Sequence, residues 1–454
     1  MTTYLLERAL LPTGVADDVL VTVEGGRFVE ISAGPNSPVS RGNVLRSGVT
    51  TPDRSTIHRS AGELARLPGL TIPGLANCHS HAFHRALRGR TQRDRGTFWT
   101  WREQMYGVAA RLTPDTYFAL ALATYREMAA AGIASVGEFH YLHHQPDGTP
   151  YDDPNEMGNA LIEAARQAGI RITLLDTCYL SSGFGKPPEG PQIRYNDGDA
   201  ERWAARVDQL RAEEHATIGA AIHSVRAVPR DQLPTVARHG GPLHVHLSEQ
   251  RAENEQCHAA YGATPTRVLH DAGALSSRTS LVHATHLTDT DIALIGGESS
   301  YANFCPTTER DLGDGIGPSR QLYDAGARLT LGSDSHAVID LFEEMRAVEL
   351  DERLATERRG HWTADDLLKA ATSTGHQSLG WADAGRIEVG QRADLVTIDT
   401  ATPRTAGTGA DAHTAVFAAI SADITHVVVD GRVVFRKGDE HEIGRALTEA
   451  IATL

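Results

Sequence analysis

Between Thr71 and Asp334, short apolar runs alternate with longer stretches of helical periodicity. The runs are TIPGLAN, IASVGEF, RITLLDTCY, IGAAIHS, PLHVHLS, TSLVHATH, SSYANFCP and ARLTLGSD, each bounded by Gly, Pro or polar residues. Runs that are apolar nearly throughout, rather than at alternate positions, suit strands buried on both faces of a parallel sheet. The intervening segments read as helices. In DTYFALALATYREMAAAG, Ala130 and Ala131 continue the helix and Gly132 supplies a left-handed stop before the next strand. Eight such runs, each with a polar residue at its C-terminal end, predict an α/β fold of the (β/α)8 TIM-like barrel type. In that fold, reactive groups project from the C-terminal ends of the strands.

The flanks have a different texture. VLVTVEGGRFVEI near the start and ADLVTIDT and THVVVDGRVVFRKG near the end read as short strands, and Asp430-Gly431 is a hairpin signal. Neither flank has enough apolar length for a large core of its own, so both are expected to pack into one small composite β-sandwich. The expected organisation is 1–70 as the N-terminal part of the sandwich, 71–385 as the barrel and 386–454 as the C-terminal part. The Gly/Pro-rich stretch SSGFGKPPEGPQIRYNDGD follows the third run and is expected to loop over the strand ends, as lids do.

Composition narrows the function classes. With 41% hydrophobic and 22% charged residues the chain is globular, and it lacks the roughly 18-residue apolar window of a membrane span. MTTYLLERALLPTG has no basic n-region and is interrupted by Glu7, so a cytoplasmic location is expected. The four cysteines are scattered without CxxC spacing, in keeping with a reducing compartment. A net charge of −15 with no basic stripe argues against a nucleic-acid partner. The 22 histidines are the informative feature, because several end the apolar runs.

His79-Ser80-His81 follows the first run, and in extended chain residues i and i+2 point the same way. His246, His283 and Asp334 end the fifth, sixth and eighth runs, and a closed barrel brings those ends to one cavity. Imidazoles with one carboxylate and an open position suit catalytic Zn2+. The fourth run, IGAAIHS, carries no Lys to bridge a second ion, so one metal per chain is expected. Glu249 stands three residues past His246. It is either a carboxylate at a helix start or, better suited to its place beside a ligand, a proton shuttle for activated water. His283 and Asp334 would polarise the electrophile and take a second proton. The chemistry expected is metal-assisted hydrolysis of a C–N or C–O bond.

IPGLANCHSH, HLSE, LVHATH and GSDSH together resemble the amidohydrolase superfamily, in its deaminase and chlorohydrolase branch. More narrowly, HSHAFHRALRG, FWTWREQMY, EFHYLHH, SGFG, HSVRAV, HLSEQ, TTERDLGDGI and GSDSH are similar to the formimidoylglutamate deiminase family. The resemblance implies hydrolysis of N-formimino-L-glutamate, a small dianionic substrate, to N-formyl-L-glutamate and ammonia in histidine degradation, by a homodimer with one zinc per chain. It implies His79, His81, His246 and Asp334 as zinc ligands, Glu249 as the proton shuttle and His283 as an assistant at the hydrated carbon. It further implies that Arg102, Tyr141, His223 and Arg226 hold the substrate carboxylates, with Trp99 and Trp101 packing around Arg102. Arg suits that task through forked, charge-assisted bonds. The family often carries Gln where this chain has His84, a substrate-site position where imidazole offers fewer hydrogen-bonding options than an amide. Two alternatives stand beside this reading: a deaminase or chlorohydrolase of purine, pyrimidine or triazine rings, and a zinc-dependent scaffold without turnover.

Overall fold

The computed structural model describes residues 1–34, 64–93, 96 and 98–454, without the side chains of Phe98 and Trp99. The expectation for Trp99, and residues 35–63 of the N-terminal segment, therefore lie outside the described residues.

The strands in chain order are β1 (Thr2–Leu11), β2 (Gly14–Glu24), β3 (Arg27–Ser32), β4 (Leu64–Pro73), β5 (Leu75–Ser80), β6 (Ile133–His140), β7 (Arg171–Cys178) and β8 (Ala216–Ile222). They continue as β9 (Leu243–Leu247), β10 (Thr279–His283), β11 (Tyr301–Phe304), β12 (Arg328–Leu331), β13 (Leu395–Ile398), β14 (Ile424–Val429) and β15 (Arg432–Arg436). Strands β5 to β12 form one eight-stranded parallel sheet in sequential order, with helices between them. Every residue of β6 and β7 is buried, which is what apolar runs without alternation demand. The sheet closes at its mouth. Asp334 N donates to His79 O at 3.0 Å and His81 N donates to Asp334 O at 3.2 Å.

The helix Pro114–Ala130 shows how the local sequence sets an element. Thr113 caps it by accepting from Thr116 N at 3.3 Å, Pro114 opens it, and Gly132 at φ +85° turns the chain into β6.

Both flanks join in a separate seven-stranded sheet, ordered β15-β14-β13-β4-β1-β2-β3. It is mixed, with β1 and β4 parallel and the other neighbours antiparallel. Asp430 and Gly431, at φ +46° and +73°, make the tight turn between β14 and β15. The first apolar run divides between the two sheets. Thr71–Pro73 ends β4, and the barrel begins after Gly74, where a Cβ would lie 2.7 Å from that of Asp394 and 2.8 Å from that of Ala134. Arg171, fully buried at the start of β7, bonds Asp394 and, at 3.0 Å, Asp430. It thereby ties the base of the barrel to the terminal sheet. Among the described residues no helix is long and apolar enough to cross a membrane.

Candidate active site

The barrel seam assembles the first cluster. His79 and His81 lie at the end of β5 and just beyond it, His246 on β9, and Asp334 three residues past β12. One ligand atom from each falls within 4.8 Å of the others, and all four residues are buried. His79 Nε2 and His81 Nε2 lie 3.4 and 3.3 Å from Asp334 Oδ1, and His246 Nε2 lies 3.1 Å from His79 Nε2. His81 Nδ1 is 3.0 Å from Phe139 O, and His246 Nδ1 is 2.9 Å from His223 O. A carbonyl only accepts, so each Nδ1 carries the proton and each Nε2 turns a lone pair inward. Burial holds His79, His81 and His246 below the ordinary histidine range, and hence neutral. Burial opposes ionisation of Asp334, but the neighbouring imidazoles win and hold its carboxyl well below the usual range. Converging lone pairs beside a carboxylate leave a hole for a cation. The three short separations fit one: a tetrahedron with bonds of about 2.0–2.1 Å has edges of about 3.3 Å.

In a second grouping, His140, His143 and Asp176, the carboxylate is already held by protein. Arg206 donates to both Asp176 oxygens at 2.8 Å, and Trp203 Nε1 adds a third bond at 3.0 Å. His143 Nε2 is spent on Thr177 O at 2.9 Å.

Two ionisable groups stand over the first cluster. Glu249 lies on the turn after β9, ahead of the helix Arg251–Tyr261 rather than inside it. His283 ends β10, its Nε2 3.9 Å from Glu249 Oε1 and 3.8 Å from Asp334 Oδ2, and its Nδ1 3.3 Å from Glu309 Oε1. Burial alone would lower His283, but the carboxylates of Glu249, Asp334 and Glu309 outweigh it and raise it to about 10. Burial raises Glu249 in turn, against the pull of His283. Ser248, His283, Ala284 and Asp334 all hold left-handed backbone, at φ +50°, +69°, +46° and +40°. Non-glycine residues enter that region at a cost, and such residues gather at functional sites.

The cavity above brings together His84, Arg102, Tyr141, His223 and Arg226, all of the expected substrate-binding residues, with Glu249, His283 and Asp334. His79 lies beneath, fully buried and outside the lining. Arg226, four residues past β8, buries its Nε without a hydrogen-bond partner among the described atoms. Burial disfavours its charge, yet Glu253 and Glu249 favour it more, so its affinity for the proton rises. Arg102, on the helix Phe98–Ala109, donates from Nε to Tyr106 Oη at 2.7 Å. His84 Nε2 lies 3.1 Å from Tyr141 Oη, and burial drives this imidazole down to about 3, so it is neutral. Trp101 sets its ring edge-on to His84 at 5.2 Å.

Several lining groups were not anticipated from the sequence. Tyr106, Tyr179 and Tyr195 line the same cavity. Gln192 donates to Tyr106 Oη at 3.1 Å and to Tyr179 Oη at 2.7 Å. The spacing of Tyr106 four residues after Arg102 was a usable signal, since i and i+4 share a helix face. The SSGFG loop supplies Lys186 to an adjoining chamber that shares Arg102, Arg226 and Glu249 with the inner cavity.

A closed parallel barrel with its ionisable groups at the strand ends defines a barrel enzyme. The sequence model of the amidohydrolase family matches residues 70–434, and the chain belongs to that family as a hydrolase acting on C–N bonds. It is 37% identical to formimidoylglutamate deiminase of Pseudomonas aeruginosa, with all of both chains covered. Its structure is similar to that of an amidohydrolase from Brucella melitensis, at a TM-score of 0.85 and 32% identity, covering 100% of this chain and 99% of that one. The fold also matches atrazine chlorohydrolase from Arthrobacter aurescens, a structure complexed with zinc, at a TM-score of 0.83 and 23% identity, covering 99% and 100%.

Proposed function

We propose that this chain hydrolyses N-formimino-L-glutamate to N-formyl-L-glutamate and ammonia, with one zinc ion per chain held by His79, His81, His246 and Asp334. The observation that carries the substrate choice is Arg226, half-buried with a buried and unpartnered Nε, in the cavity that Arg102 also lines. A guanidinium with a desolvated, open donor calls for an anion, and the substrate has two carboxylates. The full-length likeness to a formimidoylglutamate deiminase supports the same reading.

When bound, the metal supplies a Lewis acid that makes water a nucleophile near neutral pH. Glu249 would accept a proton from the attacking water and pass it to the departing imino nitrogen. His283 would hydrogen-bond the oxygen added to the carbon under attack, and Asp334 would take the second proton and yield it to the departing nitrogen. Water adds across the C=N bond, the C–N bond breaks, and the nitrogen leaves as ammonia with both protons of the water. Arg226 and Arg102 would grip the carboxylates, with Tyr141 and His223 as hydrogen-bonding partners. His84, neutral and bonded to Tyr141, would fix the orientation of the tyrosine hydroxyl.

The tyrosines lining the cavity favour a second reading, a neutral ring substrate stacked between them. Against it, Gln192 engages two of their hydroxyls, and the buried Nε donor of Arg226 would stay unused. Ammonia release by zinc-loaded protein, compared across formiminoglutamate, guanine, cytosine and adenosine, decides between them. Preference for the dianion is expected; preference for any ring overturns the proposal.

A further inference from the structure

Two carboxyl groups outside the proposed reaction sit at opposite ends of one short piece of chain. Glu309 lies within the helix Pro306–Leu312, and Asp314 follows it after Gly313. Both are buried, at 5% and 3% exposure. Glu309 Oε1 accepts from Cys305 N at 2.9 Å, which fixes the carboxylate against its own helix start, and reaches His283 Nδ1 at 3.3 Å. Asp314 is held by its own amide, which donates to Glu309 O at 2.9 Å. Its Oδ1 accepts a hydrogen bond from Gln250 Nε2, and Gln250 is the residue after Glu249.

The same segment presses on the backbone of the β10 end. A Cβ on Gly317 would lie 3.3 Å from His283 O and 3.4 Å from Ala284 O, and one on Gly315 would lie 3.5 Å from His286 Cε1. His286 N in turn donates to Ser248 O at 3.1 Å. Both groups that this segment reaches thus stand on or beside left-handed backbone, His283 itself and Glu249 next to Ser248. Such backbone persists only where its surroundings over-determine it.

We infer that residues 305–317 are a single brace for the two groups that stand over the metal cluster: Glu309 orients the His283 imidazole, and Asp314, through Gln250, orients the turn that carries Glu249. Both are positioning residues, acting through another group rather than on substrate. The inference rests on the roles proposed above for Glu249 and His283.

The test compares Ala with conservative variants in the zinc-loaded enzyme. Glu309→Ala and Asp314→Ala should lower kcat on formiminoglutamate about 10- to 100-fold, the usual cost of losing an outer partner. KM should stay within about twofold and metal content should be unchanged. Asp314→Asn and Glu309→Gln keep an accepting oxygen and should recover most of the rate. Ala variants with wild-type kcat overturn the inference, as does a loss that the conservative variants share in full. If Asp314→Ala fails to fold, Gln250→Ala removes the same bond from the half-exposed side. It should show the same loss, and an unchanged kcat there overturns the inference. If wild type itself does not turn over formiminoglutamate, the substrate reading fails separately. Crystal structures of the variants then decide the brace: displaced Glu249 or His283 side chains over an unchanged metal cluster support it, and unmoved side chains overturn it.

Discussion

His81 and Asp334 meet twice across the closing seam of the barrel. The His81 amide donates to the Asp334 carbonyl at 3.2 Å, and the His81 Nε2 lies 3.3 Å from Asp334 Oδ1. A cation shared by these side chains would bind the first strand end to the last. Chelation should therefore abolish activity and also lower Tm, with one equivalent of zinc restoring both. Binding at a thousandfold excess over Kd is worth about 4 kcal/mol of stability. Metal analysis and calorimetry on the same samples check this; two equivalents of metal, or a Tm indifferent to chelation, would contradict it.

Glu249→Gln should leave metal content near one equivalent and remove most turnover. Gln keeps the shape but cannot accept the proton, and general acid–base groups contribute about 10²- to 10⁴-fold. A loss under about tenfold would reduce Glu249 to a polar residue on the turn before its helix.

Arg226→Met and Arg102→Met should each spare zinc binding and cut kcat/KM. Losing one partner of a buried charge pair costs about 2–5 kcal/mol, which is roughly 30- to several-thousand-fold. The same variants should discriminate far less between formiminoglutamate and its amides. General damage to the fold would instead depress both substrates alike.

Glu138 offers a pH test away from the cavity. It accepts from Ala82 N at 2.6 Å and Ser80 Oγ at 2.7 Å, and burial raises its carboxyl to about 7. A carboxyl raised on folding binds its proton more tightly in the native state, so this contribution is full at pH 4 and is lost as pH rises toward 7. The most it can cost by pH 8 is about 3 kcal/mol. Glu138→Gln should remove that slope, so that denaturant titrations of the two proteins diverge between pH 5 and 8. Parallel curves would count against it.

Much of the barrel was legible because a strand buried on both faces must be apolar along its length. All eight runs became strands, and the polar residues closing them, His81, His246, His283 and Asp334, meet at one mouth. The division of the first run at Gly74 was not legible, since no periodicity marks where a chain passes from one sheet to another. Tyr106, Glu309 and Asp314, though inside the motifs, and Gln192, inside the Gly/Pro-rich loop, were given no role, for a related reason. They sit on helices and loops whose placement over the strand ends depends on tertiary packing, and their residue types are common on surfaces. Arg102 and Arg226 were legible only through the motifs around them, because nothing in spacing alone separates an arginine that lines a cavity from one on the surface.

The central claim is tested most directly by following both products at once. Zinc-loaded protein given N-formimino-L-glutamate should release ammonia and N-formyl-L-glutamate in a one-to-one ratio, with both rates falling together in Glu249→Gln. Ammonia release that is absent for this substrate but present for a purine, pyrimidine or triazine ring would contradict the account.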